Sequence, residues 1–224
     1  MPSAITIDDQ DVLLAIDLQA DFMPGGALAV DRGDEIVPLV NRLATRFENV
    51  VVTQDWHPPG HASFASSHEG AKPFETKRLE FGDQTLWHDH CVQGTPGAAA
   101  HRDLAVDRAF LILRKGMHRD IDSYSAFVEA DGKTTTGLAP LLKARGTKRV
   151  FACGLATDYC VAFSALDARA AGFETFVIED ACRAIDANNS LAEAWARMNA
   201  AEVWRVQSAE ILGWWQRVPL SGES

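Results

Sequence analysis

Five short apolar runs, separated by amphipathic stretches, constrain the fold of this chain more than any other feature. They lie at residues 12–16, 50–52, 110–113, 150–152 and 173–178. Each has the length of a strand, and three of them are rich in β-branched or aromatic residues. Nearly continuous apolar strands that alternate with helices are typical of a parallel sheet buried on both faces. The sequence therefore predicts an α/β fold with three layers, a doubly wound, mostly parallel sheet flanked by helices.

The stretches between these runs have the spacing of amphipathic helices. Residues 34–47 carry an apolar stripe made of Ile36, Val37, Val40, Leu43, Ala44 and Phe47. Two more predicted helices, 136–145 and 158–171, are each followed by a glycine that can end a helix. A further helix is predicted from Leu191, where Ser190 and Glu193 have the spacing of a capping box.

Residues 55–107 interrupt this alternation. They are rich in Gly, Pro, His and Ser and show no helix or strand period. An irregular stretch of this length is uncommon in a compact domain unless it has a function. We therefore predict a single domain over residues 1–224, with a loop insertion at about 55–107 that builds a site.

Composition excludes several classes of function. The chain has 224 residues and a formal net charge of −10, which disfavours nucleic acid as a partner. No segment has the roughly 20 consecutive apolar residues of a membrane span, and the N-terminus lacks the pattern of a signal peptide. We therefore expect a cytoplasmic protein without a membrane partner. Its four cysteines form no disulfide framework, so each is predicted to be a buried apolar residue or a reactive thiol.

Reactive residues follow four of the five predicted strands. Asp17 ends the first run, Asp55 follows the second, Lys115 follows the third, and Cys160 lies in the turn after the fourth. Ligands bind at the carboxyl ends of strands in open parallel sheets. The four side chains are therefore expected at one edge of the sheet, although loops collect polar residues in any case.

Cys160 is the candidate nucleophile of this group. A thiol at the start of a helix is expected to have a lowered pKa, and Lys115 would stabilise its thiolate. A carboxylate such as Asp17 could take the thiol proton, and the same turn could supply N–H donors to an oxyanion. The alternatives are ordinary: a packed Cys160, an Asp17 that caps a helix and a solvated Lys115.

The irregular stretch also contains a cluster typical of metal ligands. Asp55, His57 and His61 fall within one short turn whose prolines exclude a helix, so the site would be borne on a loop. This mixed set of nitrogen and oxygen ligands suits zinc, iron or manganese. A further ligand could be His90, His88 or His68, and the spacing alone does not choose among them. Nearby aromatic residues, Trp56, Phe64 and Trp87, could line a pocket or simply pack within the loop.

Eight stretches of the sequence resemble one known family along nearly the whole chain. They are IDLQADF at 16–22, GGALAV at 25–30, QDWHP at 54–58, HASFA at 61–65, DHCVQ at 89–93, KG at 115–116, DSYSAF at 122–127 and GLATDYCV at 154–161. In this order they resemble the nicotinamidases of the isochorismatase-like cysteine hydrolase superfamily. The resemblance implies the isochorismatase-like hydrolase fold and the hydrolysis of nicotinamide, and also of pyrazinamide, in NAD salvage.

The resemblance also implies roles for individual residues. The implied catalytic triad is Asp17, Lys115 and Cys160, and the implied ligands of one divalent metal ion, zinc before iron or manganese, are Asp55, His57, His61 and His90. Phe22, Trp87 and Tyr124 match positions that line the substrate pocket. Backbone N–H groups of Ala156 and Cys160 match an oxyanion hole, with a cis peptide bond expected between Leu155 and Ala156.

Two alternatives to a nicotinamidase remain from the sequence. One is a related amidase or ureido-hydrolase that acts on another small amide, and the other is a metal-binding or redox-sensing protein without turnover. The sequence does not distinguish a monomer from a homo-oligomer. Trp214 and Trp215 are predicted to pack on the domain in preference to a subunit contact.

Overall fold

The structure, a computed structural model, describes residues 4–213. The helices are α1 (Val37–Ala44), α2 (Leu138–Ala144), α3 (Ala162–Ala170), α4 (Ser190–Ala200) and α5 (Ser208–Leu212). The strands are β1 (Asp11–Ile16), β2 (Asn49–Asp55), β3 (Thr76–Leu79), β4 (Gly82–Thr85), β5 (Leu111–Lys115), β6 (Arg149–Leu155), β7 (Glu174–Arg183) and β8 (Trp204–Val206). The predicted contact of Trp214 and Trp215 lies outside the described residues.

Six of the strands form one parallel sheet in the order β5-β2-β1-β6-β7-β8. All six residues of β1 and all seven of β2 are buried. Successive side chains of a strand point to opposite faces, so both faces of the sheet must be covered. The predicted three-layer α/β fold is confirmed.

Two groups of helices cover the sheet. Helices α1 and α5 contact each other and β7, whereas α3 contacts α4, β6 and β7. The core between the layers is close-packed. The ring of Phe151 in β6 stacks on Phe176 in β7 at a centroid distance of 4.5 Å and meets Phe47 edge-on at 5.3 Å. No helix of the described chain is long and apolar enough to cross a lipid bilayer.

The structure differs from the prediction at several elements, among them β8 and α4. Strand β8 was missed because three residues, two of them exposed, carry too little pattern. The capping box predicted for α4 is absent, because Ser190 is already helical and its hydroxyl donates to Asp158 at 2.5 Å. A capping box occurs instead at α5, between Gln207 and Glu210.

The irregular stretch 55–107 contains little regular structure. Its exceptions are the antiparallel hairpin of β3 and β4 and three single turns of 3-10 helix, Ala65–Ser67, Pro96–Ala98 and Val106–Arg108. Isolated β-bridges pair residues within the stretch: His57 with Val92, and Phe64 with Trp87. These bridges bring the loop residues around His57 and His90 over the carboxyl end of the sheet.

Candidate active site

The candidate site lies at the carboxyl ends of four neighbouring strands. Asp17 directly follows β1, Asp55 is the last residue of β2, and Lys115 is the last residue of β5. Cys160 lies in a π-helical turn, Thr157–Val161, that follows β6. Because β5, β2, β1 and β6 are adjacent in the sheet, their ends bring the four side chains together. The four side chains therefore lie together at one edge of the sheet, and all four are buried.

Lys115 is the centre of this cluster. Its Nζ lies 2.5 Å from Asp55 Oδ1 and 2.9 Å from Asp17 Oδ2, and it donates to the carbonyl of Ser123 at 2.9 Å. The same nitrogen lies 3.4 Å from Cys160 Sγ. Burial alone would lower the pKa of Lys115, but the two carboxylates outweigh it and raise that pKa well above its ordinary value. The ammonium is therefore charged, and it is not the solvated surface group that lysine usually is.

Asp17 is held so that one of its carboxylate oxygens points into the site. Thr53 donates its hydroxyl proton to Asp17 Oδ1 at 2.5 Å. The other oxygen, Oδ2, faces Lys115 and accepts no well-aligned hydrogen bond from residues 4–213. Burial raises the pKa of Asp17 against the opposing charge of Lys115, and the nearby Asp55 raises it further. This carboxylate is consequently a better proton acceptor than an exposed aspartate.

The thiol of Cys160 differs from the prediction in one respect. A lowered pKa was expected from the start of a helix, but burial raises the pKa of Cys160 well above its ordinary value, although Lys115 opposes this. The expectation was wrong because desolvation of the thiolate, together with the charges of Asp17 and Asp55, outweighs the ammonium of Lys115. The resting thiol is protonated, and a base is needed to activate it.

The backbone beside Cys160 has the predicted geometry. The peptide bond between Leu155 and Ala156 is cis. The carbonyl of Ala156 accepts hydrogen bonds from the N–H groups of Tyr159 and Val161, both at 3.1 Å, which fixes the turn. Ala156 and Cys160 both line the cavity described below.

A cluster of possible metal ligands lies next to Lys115. Side-chain atoms of Asp55, His57 and His90 lie within 4.8 Å of one another. Asp55 Oδ2 is 3.6 Å from His57 Nε2 and 3.8 Å from His90 Nε2. The opposite ring nitrogens face carbonyls, His57 Nδ1 at 2.9 Å from Gly116 and His90 Nδ1 at 2.7 Å from His88. Such bonds orient imidazoles so that Nε2 faces a metal ion.

Burial and its neighbours shift the pKa values of these imidazoles in different directions. Burial, and then the nearby His57, lower the pKa of His90 to about 4. The same two causes lower the pKa of His61. Burial would also lower the pKa of His57, but the charge of Asp55 outweighs it and raises that pKa.

His61 is placed differently from the other predicted ligands. Its ring stacks on His57 at a centroid distance of 4.2 Å, and its possible ligand atoms group with those of His57 and Asp122. Its Nδ1 is 2.7 Å from Ser63 Oγ, and its Nε2 is 3.2 Å from the carbonyl of Ile121. Asp122 was not predicted as a site residue. The signal that could have found it is its place seven residues after Lys115, in the loop that follows β5.

A small cavity, partly open to solvent, leads to Cys160. Its lining includes Phe22, Trp87 and Tyr124, the residues proposed for substrate binding, and also Leu28, Tyr159 and Ile185, which the sequence did not reveal. The Tyr124 hydroxyl accepts hydrogen bonds from Trp87 Nε1 at 3.0 Å and Gln84 Nε2 at 2.9 Å. An apolar cavity that opens on a few polar groups suits a small aromatic molecule with a polar substituent.

Two aromatic residues considered for the cavity wall lie elsewhere. Phe64 is fully buried and contacts the rings of His57, His61 and His90, so it supports the histidines. The guanidinium of Arg114 lies 3.8 Å over the ring of Trp56. Of Trp56, Phe64 and Trp87, only Trp87 is among the residues that line the cavity.

Comparison with known proteins agrees with this geometry. The model of the isochorismatase domain matches residues 11–210. A nicotinamidase of Acinetobacter baylyi is 54% identical over 200 residues, which cover 89% of this chain and 94% of that protein. The solved structure of an Acinetobacter baumanii nicotinamidase and pyrazinamidase is 54% identical with a TM-score of 0.90, and covers 91% of this chain and 98% of its own.

A second solved structure is more distant. It is a pyrazinamidase of Pyrococcus horikoshii in complex with zinc, 37% identical with a TM-score of 0.72, and the match covers 88% of this chain and 99% of that one. The family model spans far more than half of the chain, and the first relative matches along nearly its whole length. This chain belongs to the isochorismatase family.

Proposed function

We propose that this protein is a nicotinamidase, which hydrolyses nicotinamide to nicotinate and ammonia through a thioester on Cys160. The observation that carries the proposal is the contact of one buried ammonium, Lys115, with Asp17, Asp55 and Cys160 at the bottom of an aromatic cavity. The nicotinamidases that share 54% of the sequence support the choice of amide. A cytoplasmic location remains a prediction.

The donor set suits a divalent metal ion. Asp55, His57 and His90 present one oxygen and two nitrogens within 4.8 Å of one another, and both imidazoles have their other nitrogen hydrogen-bonded. We propose Asp55, His57, His61 and His90 as its ligands and zinc as the metal, supported by the zinc complex of the Pyrococcus relative. When bound, the ion supplies a Lewis acid that orients the substrate.

The first half of the proposed reaction forms the thioester. Nicotinamide enters the cavity with its ring between Phe22, Trp87 and Tyr124 and its carboxamide toward Cys160. Asp17 removes the thiol proton, and the sulfur attacks the carbonyl carbon. The backbone N–H groups of Ala156 and Cys160 stabilise the oxyanion. Asp17 then returns the proton to nitrogen, and ammonia leaves.

The second half releases the product. Asp17 takes a proton from water, and the resulting hydroxide attacks the thioester carbonyl. The carbon–sulfur bond breaks, nicotinate forms, and the sulfur regains a proton through Asp17. Lys115 stays charged throughout, because two carboxylates raise its pKa. Its role is to stabilise the transient thiolate and to position Asp17.

An ammonia-release assay tests the function directly. We expect the purified protein to release ammonia from nicotinamide and from pyrazinamide, which differs by one ring nitrogen. Aliphatic amides and N-carbamoyl compounds form the comparison panel. Faster release from one of these would show a related amidase, and inertness on every amide would support a metal-binding or sensing protein without turnover.

Replacing His57 by alanine tests the metal site. We expect His57→Ala to retain about a tenth or less of the metal of the wild type, because it removes an oriented ligand, and to have a raised KM for nicotinamide. Elemental analysis of the purified proteins measures the first effect without reference to activity. His88→Ala is the matched control, because His88 is exposed and only its backbone carbonyl contacts His90. A wild-type protein that binds no divalent metal would show that the ligand set is wrong.

A further inference from the structure

Asp158 is a buried carboxylate that the proposed reaction does not use. It lies in the π-helical turn two residues before Cys160, and its side chain is almost fully buried. No lysine or arginine among residues 4–213 forms an ion pair with it. A buried carboxylate of this kind must be satisfied by hydrogen bonds, and its partners therefore reveal what it does.

Within residues 4–213, three donors contact Asp158: two lie in the connection from β7 to α4, and the third is Ser190, the first residue of α4. The N–H of Ile185 donates to Oδ1 at 3.1 Å, and the N–H of Asp186 donates to Oδ2 at 2.8 Å. The hydroxyl of Ser190 also donates to Oδ2, at 2.5 Å. Hydrogen bonds to a carboxylate are about twice as strong as those between neutral groups. Asp158 thus joins the turn of the nucleophile to residues 184–190.

This connecting segment forms part of the cavity wall. Ile185 lines the cavity together with Tyr159 and Cys160. The segment also has an unusual backbone, since Asp186, Asn188 and Asn189 have φ values of 51°, 55° and 67°. Aspartate and asparagine tolerate this left-handed region better than other non-glycine residues. The carboxylate of Asp158 fixes the beginning of the segment, at the N–H groups of Ile185 and Asp186.

We propose that Asp158 is a positioning residue for substrate binding, which holds Ile185 as a wall of the cavity. The inference rests on the proposed nicotinamidase function for its kinetic part. Asp158 contacts neither the substrate nor the reacting atoms, and it acts through residues 184–190. Loss of its bonds should weaken the binding of nicotinamide in the ground state and the transition state alike. Such a loss raises KM and leaves kcat nearly unchanged.

The first test is Asp158→Asn, which keeps the size of the side chain but replaces one accepting oxygen by a donor. We expect KM for nicotinamide to rise about tenfold while kcat changes less than about threefold. The rate at which iodoacetamide alkylates Cys160 should stay at the wild-type value, because this small reagent can reach the sulfur without binding against Ile185. A fall in kcat and in alkylation at unchanged KM would instead assign Asp158 to the nucleophile turn and overturn the proposal.

Asp180→Asn is the matched control. Asp180 in β7 is half-buried and accepts two hydrogen bonds, where Asp158 accepts three: from the N–H of Ser208 at 2.8 Å and from its hydroxyl at 2.5 Å. Those bonds hold α5 and not the wall of the cavity at Cys160. We expect a loss of thermal stability with no change in KM. An equal rise of KM in both variants would show a general effect of destabilisation and would contradict the proposal.

A double-mutant cycle and hydrogen exchange complete the design. Ile185→Ala should raise KM by itself, and combining it with Asp158→Asn should add little, because both changes remove the same wall. Additive effects would contradict a path through Ile185.

Amide exchange of residues 184–190 should accelerate in Asp158→Asn but not in Asp180→Asn. This readout needs no turnover, so an inert wild type would refute the proposed function while exchange still decides the role of Asp158.

Discussion

Cys160→Ala is expected to abolish ammonia release from nicotinamide, with a fall in turnover on the order of 10⁴-fold or more. The reason is that the thioester cannot form without the sulfur, and Asp17 alone has no nucleophile to activate. The metal content should stay at the wild-type level, because Cys160 contacts Lys115 and is not one of the proposed ligands. Steady-state ammonia release and elemental analysis of the same sample measure the two effects.

Cys153→Ala is the control for this experiment. Cys153 is a fully buried free thiol in β6, where it belongs to the apolar core. Removing its sulfur should cost some stability but leave turnover within about threefold of the wild type. If Cys160→Ala kept near-wild-type turnover, Cys160 would not be the nucleophile. A parallel loss in Cys153→Ala would mean that the assay reports damage to the core.

Lys115→Met is expected to destabilise the fold by about 3–5 kcal/mol as well as to abolish turnover. The methionine keeps most of the apolar length of the side chain but removes the ammonium that pairs with both Asp17 and Asp55. These two buried carboxylates would then lie close together without that ammonium, or one would have to bind a proton. Urea unfolding of chelator-treated protein measures the loss, so that metal binding does not contribute.

Asp17→Asn separates the charge balance from the chemistry. It leaves the ion pair of Lys115 with Asp55 intact, and asparagine tolerates the left-handed backbone of this residue, whose φ is 51°. We therefore expect the free energy of unfolding to change by less than about 1 kcal/mol, while turnover falls about 10²- to 10⁴-fold. An unchanged stability in Lys115→Met, or unchanged turnover in Asp17→Asn, would contradict the proposed roles.

The site illustrates how far sequence order alone can go. The placement of Asp17, Asp55, Lys115 and Cys160 after successive strands required only that the strands be parallel and adjacent. In the structure these four side chains do lie close together at the carboxyl edge of the sheet. The pKa of Cys160 could not be predicted in the same way, because it depends on how completely the thiol is removed from water. The position of Asp122 beside the histidines likewise depends on how the loop after β5 folds back.

The layers of this protein are predictable from its sequence, since periodicity and apolar runs are local properties of the chain. The residue types that reach the carboxyl edge of the sheet are predictable for the same reason. Which side chains meet there is visible only in the folded chain, because contacts between Lys115 and Asp17, or between Asp158 and Ile185, join segments that are far apart along the chain. The desolvation that raises the pKa of the thiol, and the hydrogen bonds that hold the cavity wall, arise only when these segments meet.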